Sequence, residues 1–404
     1  MKEKRLLYVL VLIVSVIGLS NIYVMLGLLG CKPTYYSGEP RHTTDTRMKV
    51  DINMRDLTVK KTETPAQGET AILREKVFNT FKNDSRSSKL IYVHGRHLLK
   101  QGDDIFHKLH CPIRSCSVTT QVDQGPGADL VLLGFFSVVP KNPPFPRKSR
   151  DQIWAIQILE APSHEPYFDN YNGLVNWTMT YRSDSTIQFP YFKFKYYAEP
   201  EMRQKVPNFA AGKSKKVAWL TSNLNAKFRN KYFKELSKYI QTDRIGRKSV
   251  IECPYEDMYD CLDKLKRNYK FYFAAENLFC NEYMTEKVGR NSYKYEMIPI
   301  LLGARKEDYE KRLPPNSYIF AEDFKSPEHL AEYLHKLDKN DTMYNEYFNY
   351  RKTIFVEEEF SPPWCEICRR LHEEDAKPFW YDDIKGWWRK DACRSAPYHL
   401  LGKS

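Results

Sequence analysis

From Lys89 onward the chain alternates short apolar runs with longer amphipathic or polar stretches. Lys89–Val93, Asp129–Phe136, Ile153–Leu159 and Thr178–Tyr181 form one series of predicted strands. Lys216–Leu220, Lys248–Ile251, Tyr269–Ala275, Ile298–Leu302 and Tyr318–Phe320 form a second. Runs that are apolar throughout suit strands covered on both faces, as in parallel α/β sheets. Between the two series, Lys195 to Ser214 is basic and polar with two prolines. That composition predicts a connection between two α/β domains, 89–200 and 201–350. Residues 351–404 are expected to form helices that return to the first domain.

Ahead of these series the pattern changes twice. Leu6 to Leu29 is almost wholly apolar, broken by Ser15, Ser20 and Asn21. At about 1.5 Å rise per residue, such a run crosses a hydrocarbon core of about 30 Å. Lys2, Lys4 and Arg5 precede it, so residues 1–5 are expected to be a cytosolic tail. A cleaved signal peptide carries a shorter apolar region, about 7–15 residues, ending in small side chains. Leu28-Leu29-Gly30-Cys31 makes a poor cleavage site, and 6–29 reads as an uncleaved type II signal-anchor. Residues 30–88 are charged and Thr-rich with few large apolar side chains at first, which predicts a stem. Ala71 to Phe81 has helical spacing at its far end.

With 404 residues, 42% hydrophobic and 14% aromatic, the chain has material for two packed domains and is not a disordered protein. The net charge of +12 suits an anionic ligand or an anionic membrane face, and an ordinary solvated surface equally. No nucleic-acid partner is expected.

The densest chemistry lies in Tyr269–Gly303, a strand–loop–helix–strand pattern forming one βαβ unit. Polar residues gather at the carboxyl end of its first strand and in the first turn of its helix. Parallel α/β sheets bind ligands there, because backbone N–H groups and the helix dipole face an incoming phosphate. Within it, Phe273 to Lys287 reads FAAENLFCNEYMTEK. This run resembles the donor motif of the α1,3/4-fucosyltransferases, glycosyltransferase family 10 and invertebrate-like in type, commonly F-x-x-E-N-S-x-C-x-D-Y-[VI]-T-E-K. Leu278 stands for the usual Ser and Glu282 for the usual Asp.

Other segments carry the same resemblance. Lys216 to Tyr232, KVAWLTSNLNAKFRNKY, is similar to the family's strand followed by S-N-x-x-x-x-x-R. Trp154 to His164, WAIQILEAPSH, is similar to L-E-S-P-x-H, with Ala161 for Ser. Asn176 to Ser185, NWTMTYRSDS, is similar to F-N-W-T-[ML]-S-Y-R-x-D-S-D, and Pro190-Tyr191 follows. Together these cover about Gln152 to Cys368 in family order.

The resemblance implies a GT-B fold, two Rossmann-like domains facing a cleft. It implies transfer of L-fucose from GDP-β-L-fucose to a glycan acceptor, GlcNAc of N-glycans or LacNAc-type antennae, with inversion. Glu160 is the implied general base. Arg229 and Lys287 are the implied diphosphate clamp, through bidentate guanidinium bonds and a charge at a helix amino terminus respectively. Asn277 and Tyr283 are implied contacts to the donor sugar, and Glu286 to the ribose or fucose. Tyr181, Arg182 and Asp184 are acceptor-side candidates, although an Arg–Asp pair also serves structure. Trp177 and Tyr191 are first of all core residues.

Many such transferases hold a metal on a D-x-D triad. None occurs in this sequence, so positive side chains are expected to carry that charge. Mn²⁺ or Mg²⁺ would at most stimulate, by shielding phosphate or speeding GDP release. A transferase using another nucleotide sugar, or a catalytically silent lumenal lectin or scaffold, are the alternative functions. The combination of Glu160, Arg229, Glu286 and Lys287 argues against the silent one.

The nine cysteines bear on compartment. Cys365 and Cys368 with Cys111 and Cys116 have the makings of a four-thiolate zinc site, with His94, His97, His107 and His110 near the second pair. The sequons at Asn83, Asn176 and Asn340 and the anchor instead place them in an oxidising lumen, as for a Golgi membrane protein. The family resemblance implies that the C-x-x-C pairs with two upstream cysteines. Cys253, Cys261 and Cys280 match family positions as well. An odd total leaves one thiol over, and Cys31 beside the membrane is the candidate for bridging a homodimer.

Overall fold

The computed structural model describes residues 86–95, 99–134, 139–164, 168–197, 207–246, 249, 251–254, 256–358, 362–373 and 379–402. The anchor run Leu6–Leu29, most of the stem, Cys31 and Asn83 lie outside them. Among the described residues no helix is long and apolar enough to cross a membrane.

One lobe is a parallel sheet of β1 (Lys89–Val93), β2 (Cys116–Thr119), β3 (Leu130–Leu133), β4 (Ile153–Ile158), β5 (Trp177–Thr180) and β6 (Ile187–Gln188). Their spatial order is β2-β1-β3-β4-β5-β6. Both faces are covered, which is why the strands lack alternation. Ile91, Leu130 and Met179 pack toward Phe106 of α1 (Asp104–Lys108) and toward Trp364 and Ile367. Trp154, Ile156 and Ile158 pack on the other face, where Cys280, Tyr283, Ile384 and Trp388 join the same cluster. That second cluster therefore draws side chains from both ends of the chain.

β7 (Phe192–Tyr196) leads into the other parallel sheet: β8 (Lys215–Leu220), β9 (Thr242–Ile245), β10 (Tyr269–Ala275), β11 (Ile298–Leu302) and β12 (Ile319–Phe320). Its order is β12-β11-β10-β8-β9. On one face α2 (Lys227–Leu236) contributes Phe228, Tyr232 and Phe233 beside Trp219 and Phe273. On the other, α3 (Met258–Asn268) contributes Leu262 and Leu265 beside Tyr272 and Leu301. α4 (Lys306–Arg312), α5 (Pro327–Asp338) and α6 (Asp341–Glu346) follow. Two of these starts are legible in sequence: Ser326 caps α5 ahead of Pro327, and the Asn340 side chain accepts from Met343 N–H to cap α6.

Three expectations are corrected here. The strand expected at 248–251 is instead β9 at Thr242–Ile245, and Ile251 only bridges to Ile245. As an edge strand β9 carries Thr, Asp and Arg, which a search for apolar runs passes over. The expected connection at Lys195–Ser214 begins inside β7, which pairs antiparallel with β13 (Ile354–Glu358), Lys195 opposite Phe355. The chain after Arg351 is thus not all helix. Beyond β13, α7 (Trp364–Leu371) packs on the first lobe and α8 (Ile384–Arg389) carries Ile384 and Trp388 into the shared cluster.

Disulfides reinforce this path. Cys111 bonds Cys365 and Cys116 bonds Cys368, tying α7 to the first lobe as the resemblance implied. With their sulfurs paired, these cysteines do not form the alternative zinc site. Among the described residues the one group of close metal-ligand types, Cys116, Cys368 and His372, contains one of these bridges. Cys253 bonds Cys261, and Cys280 bonds Cys393.

Candidate active site

β10 is buried along its whole length and delivers Glu276 and Asn277 to its carboxyl end, where β8 and α2 also converge. Glu276 is buried, and its carboxylate accepts from Thr285 N–H at 2.8 Å and from the Thr285 hydroxyl at 2.9 Å. It also pairs with Lys287 Nζ at 3.1 Å. Lys287 reaches Glu286 at 3.1 Å and the Thr285 hydroxyl at 2.8 Å as well. A Cβ at Gly303 would stand 2.8 Å from Glu276 Cβ, so only glycine lets β11 end against this carboxylate. The segment after Thr285-Glu286-Lys287 is one π-helical turn, Gly289–Lys294, and Lys287 lies in the turn before it. Such turns recur at functional sites.

Burial works against charge throughout this group. It raises the Glu276 pKa, helped by neighbouring Glu286 and opposed by Lys287. Burial also acts on Glu286, but Lys287 and Arg290 outweigh it and bring that carboxyl down to about 2. Lys287 is desolvated too, and Glu276 and Glu286 overcome this and raise its pKa. Lys287 is thus held between the carboxyl groups of Glu276 and Glu286.

Arg229, in the first turn of α2, is buried. Its terminal nitrogens are engaged within the fold: one donates to Ala275 O at 2.9 Å and the other to Asn223 O at 2.8 Å and Thr221 Oγ1 at 3.2 Å. Arg229 thus pins the loop after β8 to the end of β10. Its Nε is buried without a partner, as is Asn277 Oδ1. Buried polar atoms left unpaired cost about 1–3 kcal/mol.

The first lobe meets this group through Glu160, at the end of β4. Tyr283 Oη donates toward Glu160 Oε2 at 3.5 Å, long for an O–H···O bond. Tyr283 is buried, and burial foremost keeps its hydroxyl protonated, with Tyr191, Glu160, Glu276 and Tyr181 adding to this. Tyr191, core-like in sequence, belongs here too: it is half-buried near Glu160, Glu286 and Glu276 and donates to Leu159 O at 2.6 Å. Tyr181 stacks obliquely on Tyr283, ring centroids 5.2 Å apart, and its own hydroxyl is buried without a partner.

Arg182 and Asp184 do not face this centre. They pair with each other, and Arg182 donates to the carbonyls of Trp387 and Trp388 and lies 4.6 Å from the Trp387 ring. Through these bonds Arg182 holds the α8 backbone, the structural use that the Arg–Asp pair also allows. Nearby, Glu282 takes left-handed backbone and accepts from Ser183 N–H at 3.0 Å and its hydroxyl at 2.9 Å, while pairing with Arg312. The sequon asparagine Asn176 is enclosed in the fold. It is wholly buried, its oxygen accepting from Trp154 N–H and Arg147, and its nitrogen donating to Phe379 O. Asn340 is exposed, and its capping bond uses Oδ1, leaving the nitrogen that would carry a sugar. Sequence reasoning missed Glu276 as the holder of Lys287, although the strand-ending Glu-Asn was its signal. It also missed the Cys280–Cys393 pair, for which spacing held no signal.

Two parallel-sheet lobes meeting beside Glu160 and Tyr283, with the half-buried Lys287 and buried Arg229 on the second, define a class: a two-lobed α/β protein with a charged cluster where the lobes meet. Comparison with known proteins narrows this. The family model described as "Fucosyltransferase, N-terminal" matches residues 70–192, and "Glycosyltransferase family 10 (fucosyltransferase) C-term" matches 210–387. Glycoprotein 3-alpha-L-fucosyltransferase A of Drosophila melanogaster is 39% identical over 296 residues, 72% of this chain and 58% of that protein. Human 4-galactosyl-N-acetylglucosaminide 3-alpha-L-fucosyltransferase FUT5 is 33% identical over 64% of this chain and 69% of its own length. A crystal structure of an alpha1,3-fucosyltransferase with GDP-fucose matches at TM-score 0.49 and 15% identity, covering 76% of this chain and 96% of that one. This chain belongs to glycosyltransferase family 10, the fucosyltransferases.

Proposed function

We propose that this protein is a type II Golgi membrane α1,3-fucosyltransferase that moves L-fucose from GDP-β-L-fucose to GlcNAc of glycoprotein glycans, with inversion. The observation that carries this is the approach of Glu160, from the first lobe, to Tyr283 of the donor motif in the second. Base and leaving-group machinery thus stand on opposite sides of one cleft, as a single in-line displacement needs. Glu160 takes the proton of the acceptor hydroxyl as its oxygen bonds to the anomeric carbon. The bond from that carbon to the β-face diphosphate oxygen breaks, its electron pair leaves with GDP, and the product is α-linked.

Lys287 meets the departing diphosphate directly. Arg229 acts through its charge and unpaired Nε, and by fixing the loop after β8. Glu286 and Asn277 orient the donor by accepting from sugar hydroxyls. No D-x-D metal site is required, and activity should survive chelation, with Mn²⁺ or Mg²⁺ at most stimulating. The Leu6–Leu29 run supports the anchored, lumenal arrangement, and Cys31 is placed to link two copies. The test is a screen of nucleotide sugars and glycans with linkage analysis of the product. GDP-fucose should be consumed to give α1,3-fucosyl-GlcNAc. Transfer from a different nucleotide sugar, or binding of glycans without transfer, would overturn the proposal in favour of the alternative functions.

A further inference from the structure

The family model ends at Trp387, yet the residues beyond it make some of the tightest contacts with the donor motif. Asn281 N–H donates to Ala392 O at 2.7 Å and Arg394 N–H donates to Phe279 O at 2.8 Å. Cys280 and Cys393 face each other in this short antiparallel pairing and are disulfide-bonded. On one side of the pairing, Trp388 is buried in the first lobe, its ring 5.7 Å from Tyr181. On the other, Arg394 pairs with Glu322, and Tyr398 packs on Phe228, the neighbour of Arg229, at 5.0 Å. Residues 388–401 therefore run from one lobe to the other and clasp the donor motif midway.

We infer that this segment is a strap that positions the reacting groups, with Trp388 and the Cys280–Cys393 bridge as its positioning residues. Trp388 supports Tyr181, Tyr181 supports Tyr283, and Tyr283 meets Glu160. The bridge holds the backbone of Phe279–Tyr283 from the opposite side. Neither contact reaches the diphosphate group around Lys287, so the strap governs alignment across the cleft rather than GDP affinity. This rests on the proposed transferase chemistry for its kinetic consequence, but its structural consequence is independent of it.

The test uses full-length protein carrying Trp388→Leu, Trp388→Phe, the double change Cys280→Ser/Cys393→Ser, and Glu160→Gln in parallel. Misplacing reacting groups by about 1 Å costs on the order of 10²-fold. Trp388→Leu and the double variant should each lower kcat by about 10-fold or more while GDP affinity stays within about 2-fold, and Trp388→Phe should recover most of the rate. Hydrogen exchange of the Phe279–Tyr283 amides should quicken in both impaired variants, whatever substrate the enzyme takes. Unchanged exchange, unchanged kcat, or a parallel fall of kcat, GDP affinity and melting temperature that Phe does not rescue would overturn the strap. If Trp388→Leu does not fold, the double variant decides. Activity retained in Glu160→Gln but lost in Trp388→Leu would sink the base assignment and leave the strap standing. The reverse pattern would sink the strap alone.

Discussion

At the scale of single residues, the site works by setting charges against one another. Glu160 is the proposed acceptor-side carboxylate, and Glu160→Gln keeps its shape while removing proton acceptance. A general base contributes about 10²–10⁴-fold, so kcat should fall by that factor with GDP-fucose binding nearly unchanged. A folded variant that keeps more than about a tenth of the rate would show that another group takes the proton. Lys287→Ala should weaken GDP binding by roughly 10–150-fold, the equivalent of a charge-assisted hydrogen bond of about 1.5–3 kcal/mol. Titration calorimetry reads this directly. Arg229→Ala should lower both GDP affinity and melting temperature, because its terminal nitrogens hold Ala275 and Asn223 carbonyls. Glu286 supplies a pH signature. Its carboxyl titrates at about 2 in the fold against an ordinary 4.5, so the unfolded chain binds more protons in that interval. Its contribution to stability is complete above pH 4.5 and is lost as pH falls toward 2. The melting-temperature gap between wild type and Glu286→Gln should therefore be present at neutral pH and close through that window.

Among the elements, the π-helical turn Gly289–Lys294 shows how packing shapes the site. A Cβ on Gly289 would lie 2.4 Å from the Phe192 ring of β7, a ring held on its far side by Phe194. Glycine at this point lets the turn sit against β7, and the turn follows directly on Lys287. Gly289→Ala should destabilise the protein by about 1–3 kcal/mol, the usual cost of overpacking, seen as a lower denaturant midpoint at unchanged slope. Wild-type stability in that variant would mean the β7 contact is loose. β7 and β13 were themselves illegible as a pair. β7 alternates aromatic with charged residues, β13 runs from three apolar residues into two acidic ones, and only their meeting across a long separation, with Lys195 against Glu357 at 2.7 Å, makes a sheet.

On the scale of the whole molecule, the lobes are joined more than once. The Cys111–Cys365 and Cys116–Cys368 bridges anchor α7, Glu282 clasps Ser183, and the strap carries the chain back across. The glycan pattern follows from this packing. Asn176 bonds Trp154 and Arg147 of the first lobe and Phe379 of the C-terminal segment, so mass spectrometry of secreted-pathway material should find Asn340 occupied and Asn176 bare. A glycan on Asn176 would contradict the buried arrangement.

By itself the sequence determined the central strands of the two parallel sheets, because a strand buried on both faces must be apolar throughout; the edge strands β2, β6 and β9 escaped it. It also determined the donor motif and the placing of Glu160 at the end of β4, since strand ends are marked by where apolar residues stop. Only the tertiary structure decided which polar side chains serve as struts within the fold. Arg182 and Asp184 sit in a run as suggestive as that of Glu160, yet they hold α8, and Asn176 satisfies a sequon while bonding in the core. The pairing of Cys280 with Cys393, at a separation of 113 residues, was decided there too. Local pattern records which residues leave water. Partners far apart in the chain are chosen by the packing that brings them together.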